Sequence, residues 1–239
     1  MAQEFGDRAQ FISENYGESG LAKRFGVTRY PAIFVDDVLV ATPDDFGFYG
    51  GGRTAGGRYA PLKSAASHER FRADLHRMIE SILAGRKDAA RAMAAPARAG
   101  GPSKMPAFAI TDLAGRRLTR EDLAGRVVLV EFWATWCPPC RGTLRWLGEL
   151  RKRHGDRLAV VAIAIESEEP AVRALIDGLG LPDVNWVMGT PELARNFGDV
   201  GAVPQLTVFG RDARTAETFF GAPPDLHAKA EARIASLLN

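Results

Sequence analysis

Residues 127–133 form a run that is apolar at every position except Glu131. A continuous apolar run of this length predicts a strand that is buried on both faces, as in a parallel sheet. Residues 138–154 follow with leucines at helical spacing, and a second apolar run occupies residues 158–165. The order of strand, helix and strand predicts a βαβ unit, so helices must cover both faces of the sheet.

The same alternation continues to the end of the chain. Helices are predicted at residues 170–179, 190–197 and 224–238, and strands at residues 205–209 and 217–220. The helix at 190–197 has Thr190 as its predicted N-cap, where a hydroxyl satisfies a free backbone N–H. The C-terminal part is therefore predicted to be an α/β domain.

The composition excludes several classes of protein. Of the 239 residues, 46% are hydrophobic and 25% are charged, which is typical of a globular protein. The net charge is +2 and no long basic block occurs, so we expect no nucleic-acid partner. The apolar runs are far shorter than the roughly 20 residues that cross a bilayer, so we expect no integral membrane segment. The first residues also lack the apolar stretch of a signal peptide.

A change of composition divides the chain. Residues 86–104 are rich in Ala, Gly, Pro and Arg and lack large apolar residues at a regular period. This composition predicts a linker whose first half is compatible with a helix. The linker separates residues 1–85 from a domain at residues 105–239.

Both cysteines of the chain stand in one motif, Trp136-Cys137-Pro138-Pro139-Cys140. Proline suits the first turn of a helix, so Cys137 is placed at the N-cap. Free N–H groups and the helix dipole favour a thiolate there and lower the pKa of the thiol. We expect Cys137 to attack a partner disulfide and Cys140 to resolve the mixed disulfide.

Other roles for the two cysteines are a structural disulfide or half of a metal site. Metal binding needs further ligands, and the four histidines show no ligand spacing to the motif; they are His68, His76, His154 and His227. We therefore expect no metal and no organic cofactor, only a redox-active disulfide. The position of the motif, at a helix start between tryptophans and prolines, favours redox chemistry over a structural bridge.

Residues 131–140 resemble the active-site strand and helix of thioredoxin-like proteins, and are most similar to the TlpA/ResA group of bacterial thiol-disulfide oxidoreductases. Residues 106–126 resemble the opening hairpin of that group. Residues 201–205 resemble the loop that carries a cis-proline opposite the dithiol. The resemblance covers residues 105–239 and implies a thioredoxin-like fold, with a central mixed sheet flanked by helices.

The resemblance also implies which residues meet the substrate. It makes Pro204 the cis residue, whose neighbouring backbone pairs with an incoming peptide. The implied substrate-binding residues are Trp136, Pro138, Pro139, Val203 and Pro204, and the implied partners are protein thiols and disulfides. The implied role is in cell redox homeostasis. The implied setting is extracytoplasmic, in the periplasm or envelope, which the lack of a recognisable signal peptide argues against.

The chain departs from the TlpA/ResA pattern at three positions. Thr143 stands where the group usually has an acid, and Arg145 where it usually has a proline. Glu131 instead occupies the position of the buried acid of thioredoxins proper. We expect Glu131 to have a raised pKa and to relay the proton of Cys140. The alternative is a carboxylate paired with Arg or Lys at the strand edge.

Residues 20–37 resemble the second half of a thioredoxin, with Pro31 at the position of its cis-proline. This predicts strands at residues 8–14 and 38–41 and a closing helix at residues 67–83. The half that would carry a dithiol is missing. Either the natural protein begins upstream of Met1, or this is a degenerate module completed by the other domain. Residues 46–59 form a glycine-rich insertion that we expect to be a surface loop.

Thiol-disulfide exchange with protein partners is the predicted activity. A peroxiredoxin-like thiol peroxidase is an alternative, because peroxiredoxins share the fold. The Trp that directly precedes Cys137 disfavours it. A binding or scaffold protein with a vestigial redox centre is the other alternative.

Overall fold

The computed structural model describes residues 2–14, 20–25, 27, 32–42, 45, 58–59, 64–93, 102–198, 200 and 203–239. The elements of its N-terminal part are α1 (Ala2–Phe5), α2 (Gly20–Arg24), β1 (Ile33–Val35), β2 (Val38–Ala41), α3 (Ala65–Leu83) and α4 (Lys87–Met93). A 3₁₀ turn, Gly6–Arg8, follows α1.

The C-terminal part contains most of the regular structure. Its strands are β3 (Ala109–Thr111), β4 (Arg117–Thr119), β5 (Val127–Trp133), β6 (Leu158–Ala164), β7 (Asn185–Met188), β8 (Gln205–Phe209) and β9 (Thr215–Phe220). Its helices are α5 (Pro138–His154), α6 (Glu169–Leu179), α7 (Pro191–Asn196) and α8 (Leu226–Leu238). Two further 3₁₀ turns occur at Glu121–Leu123 and Gly155–Arg157.

The predicted elements of this part are confirmed, with ends within two residues of those expected. Thr190 caps α7, since its side chain accepts a hydrogen bond from the backbone N–H of Leu193. Strand β7 was not predicted. It is only four residues long, and its two central residues alone are buried, which leaves no periodic pattern to read. Within the described ranges, no helix combines the length and the apolar character needed to cross a bilayer.

The central sheet has five strands in the order β7-β6-β5-β8-β9. Strand β5 pairs in parallel with β6 and antiparallel with β8, so Glu131 lies opposite Ala162 on one side and Leu206 on the other. Every residue of β5 and β6 is buried. These pairings confirm the predicted mixed sheet of a thioredoxin-like fold.

Helices α5 and α6 cover the same face of the sheet. The crossovers from β5 to β6 and from β6 to β7 run in one direction, and right-handed crossovers in one direction place their helices together. Helix α8 lies beside α5, because the Trp146 ring stacks on His227 with the centroids 4.4 Å apart. The Trp146 indole N–H also donates to Glu231 Oε1 at 2.8 Å.

A cluster of phenylalanines fills the opposite face of the sheet. Phe197, at the end of α7, contacts Phe132 edge-to-face at 5.5 Å and Phe209 at 6.2 Å between ring centroids. The ring of Phe108, which precedes β3, lies 6.1 Å from the Phe197 ring between centroids. Phe197 thus joins α7 and the opening hairpin to the two central strands.

The N-terminal part forms a smaller α/β unit. Strands β1 and β2 pair antiparallel, and the buried side chains Val38, Val40 and Met78 join β2 to α3. The predicted strand 38–41 and helix 67–83 are confirmed, and the helix begins slightly earlier than expected.

The predicted strand at residues 8–14 is wrong. Residues 9–14 have no regular structure. Phe11 and Ile12 are 46% and 59% exposed, so no neighbouring strand buries them, and the resemblance to a thioredoxin half does not extend to these residues. Pro31 and most of the predicted loop at 46–59 lie outside the described residues.

Both ends of the predicted linker, residues 86–104, contact neighbouring structure. The Arg58 guanidinium donates to the carbonyl oxygen of Met93, at the end of α4, at 2.9 Å. At the other end, Lys104 forms a β-bridge with Arg214. The boundaries after residues 85 and 104 stay predictions.

Phe197→Ala is expected to lower the free energy of unfolding by about 3–5 kcal/mol, because it leaves a cavity between three other rings. Urea denaturation monitored by circular dichroism measures the change. The exposed Phe11 gives a matched control, since Phe11→Ala should cost about 0.5 kcal/mol or less. Equal losses in the two variants would contradict the role assigned to the cluster.

Candidate active site

Cys137 and Cys140 form a disulfide at the start of α5, with their Cα atoms 5.4 Å apart. Cys137 is the N-cap residue, and Pro138 and Pro139 open the helix, as the sequence predicted. Cys137 is 3% exposed and Cys140 is fully buried. This difference in depth fits an attacking role for Cys137 and a resolving role for Cys140.

The loop before Cys137 is held by residues that follow β6. The backbone N–H of Thr135 donates to Ser167 Oγ at 2.9 Å, and the Trp136 indole N–H donates to the Glu166 carbonyl oxygen at 3.0 Å. Ser167 Oγ in turn donates to the Ile165 carbonyl oxygen at 2.9 Å. These bonds fix the backbone that presents the disulfide.

Glu166 and Ser167 were not predicted from the sequence. A signal was available, because the carboxyl ends of neighbouring parallel strands meet at one edge of a sheet. Residues directly after β6 therefore lie beside those that follow β5. Glu166 also has φ +44°, a conformation that non-glycine residues rarely adopt and that often marks a functional loop.

Glu131 is fully buried in the middle of β5. Neither of its carboxylate oxygens has a hydrogen-bond partner among the residues that the structure describes. Burial raises the pKa of the Glu131 carboxyl well above its usual range, because the charged form loses its hydration. The alternative of a pair with Arg or Lys at the strand edge is wrong for the described part of the chain.

Strand alternation places Glu131 on the same face as Trp133, two residues further along. The Trp133 ring lies edge-to-face on Trp186 of β7, at 5.9 Å between centroids. The Trp186 indole N–H donates to the Leu181 carbonyl oxygen at 3.3 Å. The side chain of Leu181 in turn lies against Gly148 of α5. Glu131 therefore lies on the face that α5 covers, behind the helix that carries the disulfide.

Pro204 lies at the same edge of the sheet as the disulfide, directly before β8, which pairs with β5 on the side opposite β6. The Val203–Pro204 peptide bond is cis, as the resemblance implies. Because Gln205 pairs with Phe132, the preceding Pro204 lies at the level of Trp133, where the chain turns toward Cys137. The structure thus gathers the predicted residues Val203 and Pro204 at the edge of the sheet that carries the disulfide.

Trp136, directly before Cys137, is 51% exposed. Thr143 of α5, at the position where the resembled group usually has an acid, is buried and donates to the Pro139 carbonyl oxygen at 3.3 Å. Arg145 is exposed. In the described ranges, no group of three or more His, Cys, Asp and Glu side chains is arranged to hold a metal ion.

Residues 101–234 match the family profile described as Redoxin. The thiol-disulfide oxidoreductase ResA of Bacillus thuringiensis subsp. konkukian (strain 97-27) is 34% identical over 117 residues, which are 48% of this chain and 67% of that protein. The thioredoxin-like protein YneN of Bacillus subtilis is 41% identical over 75 residues. That match spans 30% of this chain and only 44% of the length of YneN.

A solved structure shares this fold. The crystal structure of a thiol:disulfide interchange protein of the thioredoxin family from Chlorobium tepidum TLS superposes with a TM-score of 0.52 at 26% identity. The match covers 61% of this chain and the whole of that protein. These similarities concern the part of the chain that carries the disulfide.

Glu131→Gln is expected to change how stability depends on pH. The folded carboxyl keeps its proton to a higher pH than the unfolded one, so the folded state binds more protons between the two pKa values. The free energy of unfolding of the wild type therefore falls as the pH rises above about 4.5, by up to about 1.4 kcal/mol per pH unit, until the folded pKa is reached.

Urea unfolding of the disulfide-bonded proteins at a series of pH values measures this effect. The stability of Glu131→Gln relative to the wild type should rise with pH. The exposed Glu149 on α5 gives the control, because Glu149→Gln should follow the wild type at each pH. A difference between Glu131→Gln and the wild type that stays constant would contradict the burial of an uncompensated carboxyl.

Proposed function

The chain belongs to the Redoxin family, and on that premise we propose that it is a thiol-disulfide oxidoreductase that exchanges its Cys137–Cys140 dithiol with protein disulfides. The observation that carries the proposal is the disulfide at the first turn of α5, with Cys137 at the N-cap. The relatives named thiol-disulfide oxidoreductases favour this activity over a thiol peroxidase.

The exchange has two steps when the protein acts as a reductant. The Cys137 thiolate attacks one sulfur of the partner disulfide, forms a mixed disulfide and releases the other partner sulfur as a thiolate, which takes a proton. Cys140 then attacks the Cys137 sulfur and releases the second partner thiolate. Two electrons pass to the partner, and the Cys137–Cys140 disulfide forms. The reverse sequence oxidises a partner dithiol.

The position of Cys137 supports its role as the nucleophile. At a helix N-terminus, the helix dipole stabilises the thiolate, and Pro138 and Pro139 leave the first turn without two of its N–H donors. The stabilisation therefore comes from the remaining backbone of α5 and from its dipole. Because Cys140 lies deeper, a partner reaches Cys137 first.

Glu131 is proposed as the proton relay for Cys140. The resolving thiol must lose its proton as it attacks, and bulk water has no access to a fully buried sulfur. Burial raises the pKa of the Glu131 carboxyl well above its usual range, so this group holds a proton more strongly than an exposed carboxyl and is a candidate for general acid–base chemistry. It lies on the face of the sheet under α5 and has no competing partner in the described structure.

Val203 and Pro204 are proposed to line the path of the partner polypeptide, with Trp136, Pro138 and Pro139 on the other side of the disulfide. The register of β8 on β5 supports this, because it brings the cis peptide to the level of Trp133. An extended partner segment would add its backbone at this edge. No cofactor is needed, since the electrons reside in the two sulfurs.

The family resemblance supports two further proposals. The protein acts outside the cytoplasm, in the periplasm or envelope, where protein disulfides persist. The chain is divided into a partial thioredoxin-like module at residues 1–85, a linker at residues 86–104 and the catalytic domain at residues 105–239.

Cys140→Ser is expected to trap the partner, because Cys137 still attacks but nothing resolves the mixed disulfide. Incubation of the reduced variant with an unfolded disulfide-bonded protein, followed by non-reducing electrophoresis and mass spectrometry, should reveal a Cys137-linked adduct. Cys137→Ser is the matched control and should give no adduct. Equal adducts through either cysteine would contradict the assigned roles.

Glu131→Gln is expected to slow disulfide reduction about tenfold or more, because the variant cannot accept the Cys140 proton. The effect should appear in the resolving step, followed as decay of a preformed Cys137 mixed disulfide between about pH 6 and about pH 9. Glu149→Gln is the control and should behave as the wild type. A decay rate of Glu131→Gln that matches the wild type across this range would exclude the relay.

A further inference from the structure

A groove borders the disulfide along the first two turns of α5. It has a volume of about 480 Å³ and is lined by Thr135, Trp136, Pro138, Arg141, Gly142 and Arg145. We call it the arginine groove. Its size lies in the range of sites that hold small ligands or a few side chains of a peptide. Trp136 and Pro138 are the sequence neighbours of Cys137, so the groove lies next to the segment that carries the disulfide.

The groove presents two cations and no acid. Arg141 and Arg145 are one helical turn apart, on the same side of α5, and both are exposed. Neither makes an ion pair or a side-chain hydrogen bond within the described structure. Several other arginines do, for example Arg151 with Asp156 and Arg173 with Glu169. The two guanidinium groups are therefore available to carboxylates of another molecule.

Trp136 forms a fixed wall of the arginine groove. It is 51% exposed, yet its indole N–H is held by the Glu166 carbonyl oxygen at 3.0 Å. Exposed tryptophan and arginine are the side chains that most often contribute strongly to binding at interfaces. The space above Gly142 in the groove is unfilled, because a Cβ placed at this residue would meet nothing within 4 Å.

We propose that the arginine groove binds an acidic segment of the partner polypeptide, next to the cysteine that Cys137 attacks. The inference rests on the proposed exchange activity and adds the chemistry of the preferred partner. Carboxylates of the segment pair with Arg141 and Arg145, while its backbone passes Trp136. Charge complementarity at a rim of this kind raises the rate of productive encounter more than the intrinsic rate of exchange.

Two disulfide-linked peptides test the inference. They share one sequence around the disulfide and differ only in flanking residues, which are Asp and Glu in one and Lys in the other. At low ionic strength the pre-reduced wild type should reduce the acidic peptide about fivefold faster than the basic one, measured as the second-order rate constant of a single turnover. The ratio should approach one as salt is added, because exposed charges are screened.

Arg141→Glu/Arg145→Glu should remove or reverse this preference. The ratio of the two rates is the readout, because any change in Cys137 reactivity affects both peptides equally. Arg117→Glu/Arg157→Glu is the control: it alters the net charge by the same amount at exposed positions outside the groove and should keep the wild-type ratio. Equal loss of preference in both double variants would show a general charge effect and overturn the proposal.

Gly142→Phe tests the groove by shape instead of charge. The new side chain should fill the open bottom of the groove without a clash at its Cβ and should lower the rate for the acidic peptide. A small, linear, neutral disulfide such as oxidised 2-mercaptoethanol should react as before. A wild-type ratio near one at low salt would overturn the inference and leave the exchange activity intact. Failure to reduce either peptide or the neutral disulfide would instead refute the proposed function.

Discussion

The pairing of β5 with β6 on one side and β8 on the other determines where the chemistry of this protein takes place. The parallel register with β6 brings Glu166 and Ser167 beside the loop that leads to Cys137. The antiparallel register with β8 brings Pro204 to the same edge. Three segments distant in sequence thus meet at one edge of the sheet, positioned by the backbone ladders of β5 with β6 and β8.

The same strand contains the least favourable group of the core. A carboxyl without a hydrogen-bond partner costs stability when it is buried, even in its neutral form. An apolar residue at position 131 would fit the run of β5 better on packing grounds. A buried polar group that lowers stability is typical of functional sites, where the residue needed for the chemistry is not the one that would give the greatest stability. The burial that makes Glu131 costly is also what raises the pKa of its carboxyl well above the usual range.

The buried and exposed faces of helix α5 carry different kinds of residues. Its buried side carries Cys140 and Leu144 into the core, and its exposed side carries Arg141 and Arg145. In the group that the domain resembles, an acid and a proline usually occupy positions 143 and 145. Here the acid lies in the strand beneath, and the outer face of the helix is cationic. The proposed proton relay and the proposed partner groove therefore lie on opposite sides of one helix.

Features that depend on local residue order could be predicted from the sequence. Long apolar runs specified β5 and β6, and a proline after Cys137 specified the helix start, since these follow from burial and from the missing proline N–H. Strand β7 was not predicted because four residues are too few to show a periodicity, and the strand at residues 8–14, which was expected from the resemblance to a thioredoxin half, does not form. Within the described residues, tertiary packing established that Glu131 has no ion pair, that Ser167 supports the active-site loop and that Phe197 connects the layers. Each depends on which distant segment lies alongside, and strand pairing, not local propensity, sets that.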